Sequence, residues 1–419
     1  RFKEGDAYHT FLLERFRLDL WRSGFFEDIE LVERRVLTAT PPRVDFEVNV
    51  TPRKKNTYQG TIGYGTDTLA RVQFFYGRHL LSPRGDNFDL GFGWQQKDNQ
   101  VTLQANYRLP RKTETKQFWI ASVGLQTEKQ EFKVSEGDDI ENRLEVARGT
   151  INDYWLRLGK TRVRNVQRGF QQMFETVFVQ YLNEKRDFQP SNIVEPTGKE
   201  ISPSTGFDDF LKDTSNSLII GVDLAWPEIR GSGFQTVGHH TRAWLFTSND
   251  AWGSDTDFTQ VYLSNRWNFL ATDRLKILLR AEAGYSHATN IDVTVPTDGP
   301  DINVATTELP SLYRFQAGGN QSVRGYAFQS LDNNGLGSNN VLTASAEVEF
   351  QLHDNWSVAA FADVGNAFND WSEPKLKLGT GLGLRWYSVI GALRLDVAQG
   401  WALEGDPWRI HLSIGTNLL

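Results

Sequence analysis

What most restricts this chain is a period of two in its apolar residues. Val341 to Leu352 is the clearest case. Val341, Thr343, Ser345, Glu347, Glu349 and Gln351 make one mostly polar side, and Leu342, Ala344, Ala346, Val348, Phe350 and Leu352 an apolar other side. Successive side chains of a strand point to opposite faces, so this is a sheet with a different solvent on each side. Four more runs repeat the pattern. Trp356, Val358, Ala360, Ala362 and Val364 leave Phe361, Asp363 and Gly365 opposite, and Leu378, Thr380, Leu382, Leu384 and Trp386 leave Lys377, Gly379, Gly381, Gly383 and Arg385. Arg394 and Asp396 share a face of the next run, and Arg409, His411, Ser413 and Gly415 share a face of the last. Three glycines in register make a trough without side chains, where another backbone can come close.

Before these runs lies a long polar loop, Ser286 to Asn340, with few apolar residues to bury and the sequence Val323-Arg324-Gly325-Tyr326 within it. A loop arginine is usually solvated. Here an interior carrying Asp363 and the glycine trough offers it a partner, so the expectation is that the loop folds back inside and Arg324 docks there. Such a charge-assisted contact contributes about 1.5–3 kcal/mol when partly desolvated.

The 419 residues are 39% hydrophobic with a mean hydropathy of -0.46. Those averages resemble an ordinary soluble protein, but alternating barrel strands give them too. The length suggests two or three domains, a rule that large barrels break. No apolar run reaches the roughly 18 residues of a membrane helix, which leaves a β-barrel open. Aromatics make up 12%, and Trp94, Trp119, Trp155, Trp267, Trp386 and Trp408 fall near the ends of runs, as interfacial girdles would. A net charge of -7 with mixed signs gives no footprint for nucleic acid. There is no cysteine, hence no disulfide or zinc–thiolate site. The sequence opens at Arg1, which reads as a mature or truncated fragment.

Residues 1–52 read as a small α/β piece. Asp6 is placed to cap a helix running to about Ser23, Gly24 to stop it, and two strands follow, Glu27 to Arg35 and Val44 to Val50, joined near Pro41-Pro42. One helix and a hairpin bury too little surface to stand alone, so this is the remainder of a larger module. From residue 53 onward sixteen strands are expected, near 56–66, 69–78, 86–97, 99–108, 116–132, 143–160, 170–186, 214–225, 240–248, 256–270, 274–286, 340–352, 355–365, 377–388, 390–399 and 408–418. The connections sort themselves. Those on the side of the N-terminal piece are mostly short, and the other set holds the long ones, 187–213 and 287–339 among them. That is the outer-membrane arrangement, short turns within and long loops outside.

Catalytic and metal signatures fare poorly. Gly379, Gly381 and Gly383 lie inside a strand with no following helix, so they are not a phosphate loop. His239-His240 has no spaced partner for a metal. Arg84-Gly85-Asp86 fits a turn, and neither G-x-S-x-G nor H-E-x-x-H occurs. No cofactor, no metal and no covalent chemistry are expected. Gly415, in the last strand, permits a bend away from the first, which carries Gly60, Gly63 and Gly65. A seam held by few bonds there would be where the barrel opens.

The motifs VRGY at 323–326, F-x-D-x-G at 361–365 and G-x-G-x-R-W at 381–386 followed by LRLDVA resemble the BamA/TamA superfamily of outer-membrane insertases. GYGTDT at 63–68 and the ending IHLSIGTNLL resemble its TamA branch. Two positions depart from the pattern: Ser388 to Ala392 replaces a proline-bearing turn, and Leu69 stands where a glycine is usual after T-D-T. The resemblance implies a mainly β fold, a 16-stranded transmembrane antiparallel β-barrel over 53–419 with a partial N-terminal POTRA module over 1–52. It implies Arg324 held by Asp363 inside the barrel, with Phe361, Gly365, Gly379, Gly381, Gly383 and Arg385 around it, and a lateral gate between first and last strands. The expected location is the bacterial outer membrane, with the module in the periplasm. The expected activity is assembly of β-barrel and autotransporter clients, with the lipid bilayer and an inner-membrane TamB-like tether as partners. A two-partner-secretion pore and an outer-membrane lipase are the alternatives. For the lipase no Ser/His pair stands at convincing spacing.

Overall fold

The computed structural model describes all residues except 1–2, 24, 83, 113–116, 135–142, 167–170, 191–212, 296–301, 333, 389–390, 403–407 and 416–419. The helix α1 (Thr10–Ser23) precedes an antiparallel pair, β1 (Phe26–Val36) and β2 (Arg43–Pro52). Leu13 of α1 and Ile29 of β1 are buried. Asp6 does not cap α1. It lies four residues before the helix and accepts a hydrogen bond from the Lys3 backbone N–H (2.7 Å) instead. Gly24, read as the stop, lies outside the described residues. Phe25 ties this piece to the barrel. Its carbonyl accepts from the Arg53 N–H (2.9 Å), and its ring lies against Gly85, leaving no space for a Cβ.

Eleven strands then run up and down in sequence. They are β3 (Asn56–Gly65), β4 (Leu69–Arg78), β5 (Asn87–Gln95), β6 (Gln100–Lys112), β7 (Gln117–Val134), β8 (Leu144–Val166), β9 (Gln171–Pro190), β10 (Thr214–Arg230), β11 (Val237–Ser248), β12 (Phe258–Thr272) and β13 (Leu275–Ala288). A short hairpin, β14 (Asn290–Val295) and β15 (Ile302–Thr307), interrupts the series. Five strands complete it: β16 (Asn340–His353), β17 (Trp356–Phe368), β18 (Lys377–Ser388), β19 (Gly391–Gly400) and β20 (Trp408–Gly415). Omitting the hairpin, sixteen antiparallel strands close into a barrel. Each matches one of the sixteen expected runs.

The barrel is inside out relative to a water-soluble protein. Along β16 Thr343, Ser345, Glu347 and Glu349 are buried, while Val348, Phe350 and Leu352 are exposed. An apolar exterior meets lipid, and the closed ladder pairs the backbone of neighbouring strands there. Trp119, Trp267, Trp386 and Trp408 are outward and exposed. Trp155 is not. It packs inward beside Phe178 and Leu182, because the period of β8 puts odd residues in the lumen.

The loop between β13 and β16 is no solvated connector. Val293, Leu309, Tyr313, Phe315, Val323, Tyr326, Leu331 and Leu336 are all buried. Each large apolar side chain taken from water contributes about 1.5–3 kcal/mol, so eight in one segment hold it inside the lumen. The spacing of these residues follows no period, which is why the segment looks polar on average. β7, β8 and β9 have 18, 23 and 20 residues, more than the roughly 9–11 that cross a bilayer. Their surplus forms a wall on which Val293 of the hairpin packs, against Phe132, Val146, Ile151 and Phe188.

Candidate functional site

The inserted loop turns back on itself. Phe315 and Ser338 exchange backbone hydrogen bonds (2.9 and 2.8 Å), as do Ala317 and Leu331 (3.2 and 2.9 Å). Gly318, Gly319 and Gly325 have φ of 100°, 92° and 93°, a region that costs any residue with a Cβ about 1–2 kcal/mol. At Gly325 a Cβ would also lie 2.8 Å from the backbone of Gln399 and Gly400, so only glycine fits. Val323 and Tyr326 flank the tip as anchors, both 0% exposed. The Tyr326 hydroxyl donates to the Leu378 carbonyl and accepts from the Ala402 N–H, both at 3.1 Å.

Between these anchors Arg324 reaches the barrel wall. Asp363 accepts from its backbone N–H (3.1 Å), Nε (2.7 Å) and Nη2 (3.0 Å), and also from Ser345 Oγ (2.5 Å). Nη1 of Arg324 donates to Glu347 (2.6 Å) and Asp396 (3.4 Å). Arg385 binds the same two carboxylates, Glu347 at 2.9 Å and Asp396 at 2.6 Å. The guanidinium of Arg324 lies 3.3 Å from the centroid of the Phe361 ring, a cation–π contact with the charge out of water. Buried charges persist when they are paired, and each charged residue of this group has a partner of opposite sign within 3.4 Å.

Only part of the glycine trough serves the loop. A Cβ on Gly379 would overlap the Arg324 carbonyl at 1.8 Å, so the tip's backbone rests on that residue. Gly381 makes room for the Phe361 ring and the Val397 carbonyl, and Gly383 for Arg385 and Asp396. Gly365 admits the neighbouring strand, with the Leu342 carbonyl 2.7 Å from where a Cβ would sit. Glu347, Asp396 and His411 belong to the docking group although only their inward-facing period marked them in the sequence.

The seam between β20 and β3 is described next to the turn into β4. Among the described residues only Ser413 opposite Gly65 and Ile414 opposite Tyr64 are in register, whereas β3 pairs with β4 along its whole length. The Thr66 N–H adds one bond to the Leu412 carbonyl (2.9 Å), and the Leu412 N–H one to Thr66 Oγ1 (3.2 Å). These contacts join β20 to the end of β3 next to the β4 turn. Gly63 and Gly65 lie close to the carbonyls of Ile414 and Leu412, while nothing stands within 4 Å of a Cβ placed on Gly60. Gly415 pairs with Ala392 of β19.

A second clasp lies at the end of the barrel nearest the N-terminal piece. The turn from Gly231 to Thr236 crosses the mouth and buries Phe234. Lys276 Nζ donates to the Phe234 carbonyl (3.2 Å) and the Tyr387 hydroxyl (2.9 Å), with Glu349 at 3.4 Å. No motif marked this turn, because its contacts are between residues 42 and 111 positions apart. Among the described residues no cluster of three or more His, Cys, Asp or Glu has the geometry to hold a metal. His239 lies 3.5 Å from Glu228.

Residues 38–417 match the Omp85 superfamily domain. Among solved structures the chain is similar to BamA from Haemophilus ducreyi lacking POTRA domains 1–3, with a TM-score of 0.67 and 15% identity over 99% of this chain and 80% of that one. It is also similar to CdiB from Acinetobacter baumannii, with a TM-score of 0.56 and 16% identity over 99% and 69%, and to CdiB from Escherichia coli, with a TM-score of 0.54 and 14% identity over 98% and 72%. At such identities the shared property is the fold. With a closed sixteen-stranded barrel and a family match over nearly its whole length, the chain belongs to the Omp85 superfamily.

Proposed function

We propose that this outer-membrane barrel is an assembly factor that helps insert or translocate β-barrel and autotransporter-type clients, without covalent chemistry. The observation that supports the reading is the seam, where among the described residues β3 and β20 share two register pairs, Gly65 with Ser413 and Tyr64 with Ile414. A seam that parts exposes strand edges, and an unpaired edge is a template to which a client strand can add by β-augmentation. Gly60, Gly63 and Gly65 on one side and Gly415 on the other are the gate residues of this reading. The Arg324 group keeps the lumen occupied, which favours a lateral route over passage through the centre.

The finer assignment is to the TamA branch, on the motifs at 63–68 and 410–419. In it, residues 1–52 are the later part of a periplasmic POTRA module that reaches a TamB-like tether in the inner membrane. The test is reconstitution in liposomes with an unfolded client barrel. Faster client insertion than in empty liposomes supports the reading. Steady conductance with release of a soluble exoprotein, and no gain in client insertion, supports the secretion pore in its place.

A further inference from the structure

The inserted loop touches both sides of the seam. Asp67, in the turn between β3 and β4, accepts the Asn320 N–H on Oδ2, and its Oδ1 lies 3.2 Å from His411 Nδ1 on β20. His411 is 1% exposed, and its Nε2 accepts the Gly325 N–H at 3.1 Å. An Nε2 that accepts carries no proton, so the neutral ring holds its proton on Nδ1 and donates it to Asp67. One relay therefore runs from loop to first hairpin to last strand and back to the loop tip. Its members are up to 344 positions apart in sequence. It sits beside the two register pairs that join β20 to β3 among the described residues. Gly319 belongs to the same contact: a Cβ there would lie 2.7 Å from Asp67 Oδ2.

We propose that Asp67 and His411 are positioning residues that let the loop segment Gly319 to Gly325 strap the seam shut from inside. Undocking the loop removes the Asn320 and Gly325 N–H groups together, so it frees the two acceptors on opposite sides of the seam in one event. The seam is then held by the hydrogen bonds between β20 and β3 alone. This rests on the gate reading for its biological use, but the coupling itself is a property of the barrel.

The test uses the full chain in lipid nanodiscs. Its lack of cysteine lets spin labels be placed at Ile62 and Ile410, both outward-facing. Seam distance is read from the labels and loop docking from amide exchange at Ser322 to Tyr326, on samples that keep heat-modifiable migration. Asp67→Ala and His411→Leu are expected to broaden the seam distances and to speed loop exchange on the order of ten-fold, as for one lost buried hydrogen bond. Arg324→Ala should broaden the seam from the loop's side. His411→Gln keeps an acceptor and a donor and should stay near wild type. It also stands as the folded comparison if the leucine variant fails to assemble. Wild-type seam distances in Asp67→Ala and Arg324→Ala overturn the proposal, as does a broadened seam with the loop still protected. A broadened seam and mobile loop with client insertion unchanged upholds the strap and overturns the gate reading.

Discussion

Arg324 and Asp363 bind through three hydrogen bonds, of 2.7 to 3.1 Å, with both groups shielded from solvent. Removing one partner of a buried pair leaves the other charge uncompensated, at a cost of about 3–5 kcal/mol. Here Arg324→Ala leaves Asp363 only the more distant Arg280, at 3.6 Å, and takes from Glu347 and Asp396 one of their two arginines. Arg324→Lys is not conservative, because an ammonium cannot offer two parallel N–H groups to one carboxylate. Both variants should expose the segment 315–338 to protease, and Arg324→Ala combined with Asp363→Asn should lose less than the two single changes added. A double-mutant cycle on the unfolding midpoint in detergent checks this.

The turn after β3 holds Leu69 at φ 56°. A Cβ in the left-handed region costs about 1–2 kcal/mol. Leu69→Gly and Leu69→Ala differ chiefly in that strain, offset in part by the greater backbone entropy that glycine loses on folding. The glycine variant should therefore be the more stable by about 1 kcal/mol, read as a higher temperature of heat-modifiable migration.

Lys276 fastens the turn Gly231 to Thr236 across the barrel mouth, with its Nζ 4.8 Å from the Phe234 ring and 5.1 Å from that of Tyr387. A cavity of about 1020 Å³ lies beside this turn. Lys276→Met removes both hydrogen bonds and leaves Glu349, which is 1% exposed, without its cation. The turn should loosen and the single-channel conductance in planar bilayers should rise. Unchanged conductance would remove this turn as a barrier.

Asp86, in the turn between β4 and β5, receives hydrogen bonds from Ser82 Oγ (2.6 Å), the Tyr107 hydroxyl (2.7 Å) and the Ser82 N–H (2.8 Å). The Ser82 and Tyr107 hydroxyls push its pKa down to about 2. A carboxylate with a lowered folded pKa stabilises the folded form above its unfolded value near 4, and that contribution is lost as pH falls through about 2. Amide exchange at Ser82 and Arg84 in wild type should accelerate between about pH 4 and 2 beyond the intrinsic rate. In Asp86→Asn it should already be fast at neutral pH and show no such step.

The barrel was legible because its two solvents impose a strict alternation that turns and glycines cannot hide. Val341 to Leu352 already contains the inward polar face and the outward apolar one. The docking of Arg324 was legible for a related reason: Gly379 and Asp363 mark an inward face with space and charge but no partner in their own strands. The interior of the loop was not. Leu309, Phe315, Val323 and Leu331 are spaced by no helical or strand period, and they become a core only because the barrel surrounds them. The strap and the mouth clasp were hidden for another reason. Asp67 and His411, or Lys276 and Phe234, meet through tertiary closure, and each alone looks like a lumen or turn residue. The helix start failed on a local competition: Asp6 satisfies the Lys3 N–H in its own turn and is no longer placed to cap.

The most direct measurement closes the seam covalently. A Cβ on Gly65 would lie 3.9 Å from that of Ser413, within the roughly 3.5–4.5 Å that a disulfide requires, and there is no other cysteine to compete. Gly65→Cys with Ser413→Cys is expected to halt client insertion when oxidised and to recover it on reduction, with each single cysteine variant active under both conditions. Client insertion at the wild-type rate through a fully oxidised barrel would contradict the lateral route.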